Sequence, residues 1–151
     1  MATRDLSDAL PALREAFLRV KERFESAFPR YELRPICVYR SPEEQFEAFQ
    51  AGRSRLDGTT KKSFHNIKPA RAIDAGIFKK NGSRVGASYI DDLLTAGKFD
   101  ADLHRALYWI FGLLAQREGL RSGNDWDNDG VHVVPDPDES LADGGHIEVK
   151  A

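Results

Sequence analysis

Two short segments of the chain carry residues whose types and spacing could bind a metal ion. The first contains His65 and Asp74, and the second contains Asp143, His146 and Glu148. Two imidazoles and one carboxylate are a common ligand set for catalytic zinc, in which water takes the fourth position. A further carboxylate close by could then act on that water. The two segments therefore predict a catalytic rather than a purely structural metal site.

The elements around these residues must bring distant parts of the chain together. His65 and Asp74 are nine positions apart, so no single helix face would join them. They could meet if His65 ends a loop and Asp74 lies on the following strand, where an unpaired carboxylate would be costly. His146 and Glu148 share one face of the last strand. Two glycines separate Asp143 from that strand and would allow a sharp turn and a close approach to a substrate.

Periodicity and capping signals predict an α+β fold with helices and short, non-sequential strands. Ser7 is expected to cap a helix that runs to about Ala27, and Ser41-Pro42 to begin a second helix. Pro35 implies an edge position or an irregular start for its strand. A Lys-Asn-Gly-Ser turn after residue 78 suggests a hairpin. The predicted helices are 7–27, 42–51 and 100–118, and the predicted strands are 31–39, 72–78, 120–121 and 146–150.

Composition indicates an ordinary soluble globular protein, with 41% hydrophobic and 30% charged residues. Its 151 residues are expected to form a single catalytic domain over 1–151. No apolar run is long enough to cross a membrane, and the N-terminus has no apolar signal region. We therefore expect a cytoplasmic protein that another protein releases to the cell wall. The lone Cys37 excludes an internal disulfide and is expected to be a buried thiol.

Charge is unevenly distributed along the chain. Residues 40–84 contain ten Lys or Arg against five Asp or Glu, while residues 122–151 contain one against eight. The basic segment could face an anionic polymer or simply be solvated loops. No basic helix or aromatic platform accompanies it, which makes nucleic acid a weak candidate partner.

The motifs resemble those of a known family. Ser-x-His and Asp, followed by Asp-x-x-His-x-Glu, are similar to the zinc peptidases of bacterial cell walls. That family includes D-alanyl-D-alanine carboxypeptidases and the L-alanyl-D-glutamate endopeptidases of phage endolysins. The segment from Tyr39 to Gln45 is similar to the family's arginine-and-glutamine motif, and the resemblance extends over roughly residues 36–150. It implies a hedgehog/D,D-peptidase-like fold, a small antiparallel sheet flanked by helices.

The resemblance also implies roles for individual residues. It assigns His65, Asp74 and His146 as zinc ligands, Asp143 as the general base, and Arg40 as the group that stabilises an oxyanion or a substrate carboxylate. Ser63, Gln45 and Glu148 would orient the metal ligands or position the substrate. The alternative for Arg40 is a surface salt bridge with Glu43 or Glu44. One departure concerns the first motif, where eight residues rather than six separate the ligands and Lys68-Pro69 replaces a glycine turn.

An acidic loop before the last strand is similar to the start of a calcium-binding loop. It has oxygen ligands at alternate positions in Asp125, Asp127 and Asp129, then a glycine, with Val131 at position seven and Asp136 at position twelve. The alternative is a solvated turn. If calcium binds, it would order the loop before the last strand, and we expect it to regulate activity.

The leading functional prediction is a zinc metallopeptidase that cuts peptidoglycan stem peptides between L-Ala and D-Glu, as a monomeric phage-type endolysin. A D-alanyl-D-alanine carboxypeptidase is the alternative within the same chemistry. A non-catalytic, metal-stabilised binding module is the alternative from another class. Retention of Asp143 argues against that module, because a structural zinc needs no general base.

Overall fold

The computed structural model of the chain describes residues 2–54, 56–80, 98–123 and 145–150, with the backbone alone for 98–102, 104 and 105. Within these residues, three helices and a four-stranded antiparallel sheet confirm the predicted α+β class. None of the described helices is both long and apolar enough to cross a membrane. The helices are α1 (Pro11–Ala27), α2 (Pro42–Gln50) and α3 (Lys98–Arg117), and the strands are β1 (Tyr31–Cys37), β2 (Ala72–Lys79), β3 (Arg121–Ser122) and β4 (His146–Glu148).

The strands lie in the order β1-β2-β4-β3. β1 is an edge strand, as Pro35 predicted, and its register with β2 shifts between Pro35 and Cys37. β2 is central and pairs with β4 on its other side. As a result Asp74 lies opposite Cys37 on one neighbouring strand and opposite His146 on the other. The sheet thus brings together residues from widely separated parts of the chain.

The hydrophobic core lies between one face of the sheet and helices α1 and α3. One face of α1 is buried, and Ile73, Ala75 and Ile77 on β2 are fully buried; the buried residues of α1 are Leu13, Ala16, Phe17, Val20 and Phe24. Asp74 lies on the opposite face of β2 from these three side chains, as alternation along a strand requires. One face of the central strand therefore stabilises the fold while the other is available to polar residues.

Several predicted boundaries were wrong by a few residues. The first helix begins at Pro11, because Leu10 is extended before the proline, and residues 6–8 form a separate 3-10 turn capped by Asp5. The first strand ends at Cys37 rather than Tyr39, since the next backbone groups bond to Thr3 instead of β2. The terminal strand likewise stops at Glu148.

Other local predictions were confirmed. Ser41 forms a capping box with Glu44, and Pro42 is the first residue of α2. α3 ends before Gly119, which has a φ of +80°. The proposed hairpin turn after β2 and the acidic loop lie largely outside the described residues.

Candidate metal centre

The register of β2 and β4 builds one half of the candidate site. Asp74 and His146 are direct cross-strand partners, and His146 Nδ1 lies 2.7 Å from Asp74 Oδ1. The other ring nitrogen, Nε2, lies 2.8 Å from Glu148 Oε1 on the same strand face. His146 is therefore held between two carboxylates, and its orientation is set by the sheet.

His65 comes from a 3-10 turn that spans Phe64–Asn66. Ser63 caps this turn, and its hydroxyl accepts a hydrogen bond of 3.2 Å from the His65 backbone N–H. The Arg71 N–H donates to the Phe64 carbonyl at 3.0 Å, which closes the loop just before β2 begins. The long connection with Lys68-Pro69 therefore still brings His65 beside Asp74.

The two nitrogens of the His65 ring have different surroundings. Nδ1 lies 2.8 Å from the Val38 carbonyl oxygen, which can only accept a hydrogen bond, so Nδ1 carries a proton. Nε2 lies 3.2 Å from Asp74 Oδ1 but without the alignment of a hydrogen bond, and it is buried with no other partner. A buried polar atom without a partner is costly. The Nε2 atom thus faces Asp74 and is available to a ligand.

Three donor atoms consequently converge from three different elements. His65 Nε2 and His146 Nδ1 both lie within 3.2 Å of Asp74 Oδ1, and the two rings meet edge to face with centroids 5.2 Å apart. Two imidazoles around one carboxylate oxygen suit a divalent cation such as zinc. The residues present therefore fit the metal that the sequence predicted.

The carboxylates and imidazoles of the site shift one another's pKa values. Burial lowers the pKa of His65, but the adjacent Asp74 carboxylate outweighs it and raises that pKa to about 10. Burial likewise opposes the charged form of His146, yet hydrogen bonds to Asp74 and Glu148 raise its pKa to about 9. Burial would raise the pKa of Asp74, but the two imidazoles hold it well below its usual range. A metal ion would therefore replace protons on both rings.

Cys37 is a donor that sequence reasoning set aside. Its buried sulfur lies 3.7 Å from His65 Nδ1 and 3.6 Å from the Arg40 guanidinium. Cys37, His65 and Asp74 each offer a ligand atom within 4.8 Å of the others, so this group could bind a metal. However, the sulfur lies beside the Nδ1 edge of His65, which the Val38 carbonyl already occupies. Cysteine is therefore an alternative third donor, and His146 is better aligned.

Arg40 and Gln45 form a partly buried network next to the candidate metal centre. Arg40 donates to Gln45 Oε1 at 3.2 Å, while Gln45 Nε2 donates to Ser54 Oγ at 2.8 Å and to the Leu56 carbonyl at 2.9 Å. Gln45 is only 1% exposed, so it positions other groups rather than contacting a substrate itself. Its amide joins Arg40, helix α2 and the following loop.

The structure brings together most of the residues that the sequence singled out. His65, Asp74, His146 and Glu148 meet directly, Ser63 caps the turn that carries His65, and Gln45 holds Arg40. Asp143 lies outside the described residues, as do the predicted calcium ligands Asp125, Asp127, Asp129, Val131 and Asp136. Sequence reasoning missed the contacts of Cys37, for which the only signal was its position three residues before Arg40.

Gly145 approaches the central strand closely. The glycines before the last strand are expected to allow close approach to a substrate, and Gly145 in addition lies against β2. A Cβ atom at Gly145 would lie 2.4 Å from the Ala75 carbonyl oxygen, and the Ala75 N–H donates to the Gly145 carbonyl at 2.7 Å. This glycine therefore allows β4 to reach the central strand just before His146.

Comparison with known structures finds a solved structure of the same fold. The crystal structure of the L-Ala D-Glu endopeptidase ChiX from Serratia marcescens matches this chain with a TM-score of 0.61 and 17% sequence identity. The match covers 99% of this chain and 89% of that one, so the chain has the fold of the ChiX peptidase. No protein-family model and no curated protein matches the sequence.

Proposed function

We propose that this protein is a zinc-dependent metallopeptidase that hydrolyses peptidoglycan stem peptides between L-Ala and D-Glu. The observation that carries the proposal is the convergence of His65 Nε2 and His146 Nδ1 on Asp74 Oδ1. The fold shared with an L-Ala D-Glu endopeptidase supports the choice of bond. A phage-type endolysin role is the further part of this proposal, and its support is the resemblance of the sequence motifs.

The residues that would hold the metal are His65, Asp74 and His146. Zinc bound there would act as a Lewis acid on a peptide carbonyl and make water a nucleophile near neutral pH. The Val38 carbonyl fixes the His65 ring and Glu148 fixes the His146 ring, so the protein presents the donors already oriented. Such preorganisation is what a catalytic site requires.

Proton transfer and charge stabilisation are assigned to two other residues. Asp143 would take the proton of the attacking water on its carboxylate and pass it to the leaving amine nitrogen. Arg40 would stabilise the negative charge on the scissile carbonyl oxygen or bind a carboxylate of the substrate. Its guanidinium is directed by Gln45 and Cys37, which restricts its position before the substrate arrives.

Calcium binding by the loop of residues 125–136 is part of the proposal and is supported by the sequence pattern alone. Calcium would order the chain just before Asp143 and His146 and so promote activity. Hydrolysis rates in calcium and in a calcium-selective chelator, with zinc held constant, test this step. Equal rates would rule out regulation by calcium.

Mass spectrometry of Gram-negative peptidoglycan digested with zinc-loaded protein tests the proposed activity. New L-Ala carboxyl ends and D-Glu amino ends are expected. Loss of only a terminal D-Ala would instead establish a carboxypeptidase, and an intact wall with zinc bound would favour a non-catalytic binding module. Asp143→Ala is the matched variant, because it should keep zinc and lose turnover.

A further inference from the structure

A line of polar side chains crosses three strands next to the metal centre. Asp74 on β2 is the register partner of His146 on β4, and Glu148 on β4 is the register partner of Arg121 on β3. Since His146 and Glu148 are two residues apart, their side chains lie on the same face of the strand. The sheet register therefore places Asp74, His146, Glu148 and Arg121 side by side.

The contacts along this line are polar at each step. Asp74 Oδ1 lies 2.7 Å from His146 Nδ1, and Glu148 Oε1 lies 2.8 Å from His146 Nε2. The second oxygen of Glu148 faces Arg121, with Oε2 3.8 Å from the guanidinium Nη1. The side chain of Glu148 is 12% exposed and that of Arg121 is 40% exposed. The line thus runs from the metal centre to the surface of the protein.

We infer that Glu148 and Arg121 are positioning residues that determine which nitrogen of His146 binds the metal. Glu148 Oε1 lies 2.8 Å from His146 Nε2 and accepts its hydrogen bond, which orients the ring with Nδ1 towards Asp74 and His65. Arg121 acts through Glu148, because its guanidinium lies 3.8 Å from the second carboxylate oxygen and holds that carboxylate turned towards the ring. This inference rests on the proposed metal centre and adds Arg121 to it.

Zinc affinity in single and double variants tests the inference without any substrate. Competition with a chromophoric chelator should show that Glu148→Ala weakens zinc binding roughly 10- to 100-fold, the usual effect of losing an outer-shell partner. Glu148→Gln should recover most of this loss, because its amide oxygen can still accept from Nε2. Arg121→Ala should weaken binding roughly threefold or more in the native background and cause no further loss with Glu148→Ala.

The control for Arg121 is Arg19→Ala, which also removes an arginine from a salt bridge with a glutamate. Arg19 pairs with Glu118 at 2.8 Å, joining α1 to the end of α3 away from the metal ligands. This variant should keep the zinc affinity of the native protein. Thermal unfolding with zinc removed shows whether each variant is folded before its affinity is compared.

Long-range ¹⁵N–¹H correlation spectra of the zinc-loaded protein supply a second readout. His146 should show a protonated Nε2 and a metal-bound Nδ1. A metal-bound Nε2, an unchanged affinity in Glu148→Ala, or an Arg121→Ala effect that persists without Glu148 would each overturn the inference while leaving the metal centre intact. If the native protein binds no zinc, both this inference and the proposed metal centre are wrong. If the protein binds zinc through His146 Nδ1 and the variants behave as expected, but the protein fails to cut peptidoglycan, only the proposed function is wrong.

Discussion

The two halves of the candidate site are built in different ways. The sheet half (Asp74, His146 and Glu148) is positioned by backbone register, with Asp74 directly opposite His146. The loop half (Arg40, Gln45 and His65) is positioned by caps and side-chain hydrogen bonds, most of which meet at the buried Gln45 amide or in the turn around His65. Changes in the sheet half should therefore disrupt two of the three proposed metal ligands, whereas changes in the loop half, other than at His65, should disturb only the surroundings of these ligands.

Removing the Asp74 carboxylate should give the largest loss of zinc affinity and of hydrolysis. Asp74→Ala takes away the oxygen that both imidazoles approach within 3.2 Å. Zinc affinity should fall by more than about 100-fold, because loss of an outer-shell partner alone costs roughly 10- to 100-fold. Hydrolysis should become undetectable, as measured by chelator competition and by release of new amino ends. A variant that still binds zinc tightly would contradict the proposed ligand set.

Replacing Gly145 by alanine tests how tightly β4 packs against β2, because it adds one methyl group there and removes no metal ligand. Gly145→Ala would place Cβ 2.4 Å from the Ala75 carbonyl oxygen and should lower the free energy of unfolding by about 3 kcal/mol. Gly52→Ala is the control, since its Cβ would meet nothing within 4 Å and only its φ of +73° is strained, at about 1 kcal/mol. Urea denaturation measures both. Equal losses would show that β4 can move away from β2 without cost.

Truncating Gln45, whose amide connects the residues of the loop half, should reduce turnover more than it reduces zinc affinity. Gln45→Ala leaves Arg40 without the amide oxygen that accepts its hydrogen bond and should lower the free energy of unfolding by about 2 kcal/mol. Turnover should fall roughly tenfold while zinc affinity stays within about threefold, since Gln45 contacts no metal ligand directly. Gln50→Ala, on the exposed end of the same helix, should change neither. A large loss of zinc from Gln45→Ala would mean that the two halves are not independent.

The metal-free protein should lose stability as pH rises. The pKa of His65 is raised to about 10 and that of His146 to about 9, so their contribution is complete below about pH 6.5 and is lost as pH approaches 9 to 10. Asp74 has a lowered pKa, so its contribution is lost only in acid. Urea unfolding in chelator should show a progressive decrease in the free energy of unfolding between pH 6 and pH 9. Asp74→Asn should flatten this dependence, and a decrease that persists there would assign it to other groups.

Replacing the Cys37 thiol should give the smallest change in zinc affinity. The same variant tests whether His146 or Cys37 is the third metal ligand. Cys37→Ser should change zinc affinity less than about threefold if His146 rather than Cys37 completes the site. The cobalt-substituted native protein should then lack a thiolate-to-metal charge-transfer band. A strong band that disappears in Cys37→Ser would instead assign the metal to Cys37, His65 and Asp74.

Local patterns predicted much of the fold correctly. Ser41-Pro42 specifies the start of α2 through a capping box, and the alternation along β2 separates the buried Ile73 and Ile77 from Asp74. The errors were at element ends, such as the start of α1 at Pro11, where a proline and contacts with distant residues decide the boundary. End positions depend on hydrogen bonds to other segments, which a local pattern does not contain.

The sequence by itself determined which side chains could do the chemistry, because donor types and their short spacings are local properties. His65, Asp74, His146 and Glu148 could all be selected in this way, whereas Ser63 was implied by the resemblance to the zinc peptidases. Only the tertiary structure decided that Cys37 lies beside His65, that Gln45 is buried under Arg40, and that Arg121 faces Glu148. These contacts join residues through strand register and loop closure, and the free energy that selects a register belongs to the packing of the whole sheet rather than to any one segment.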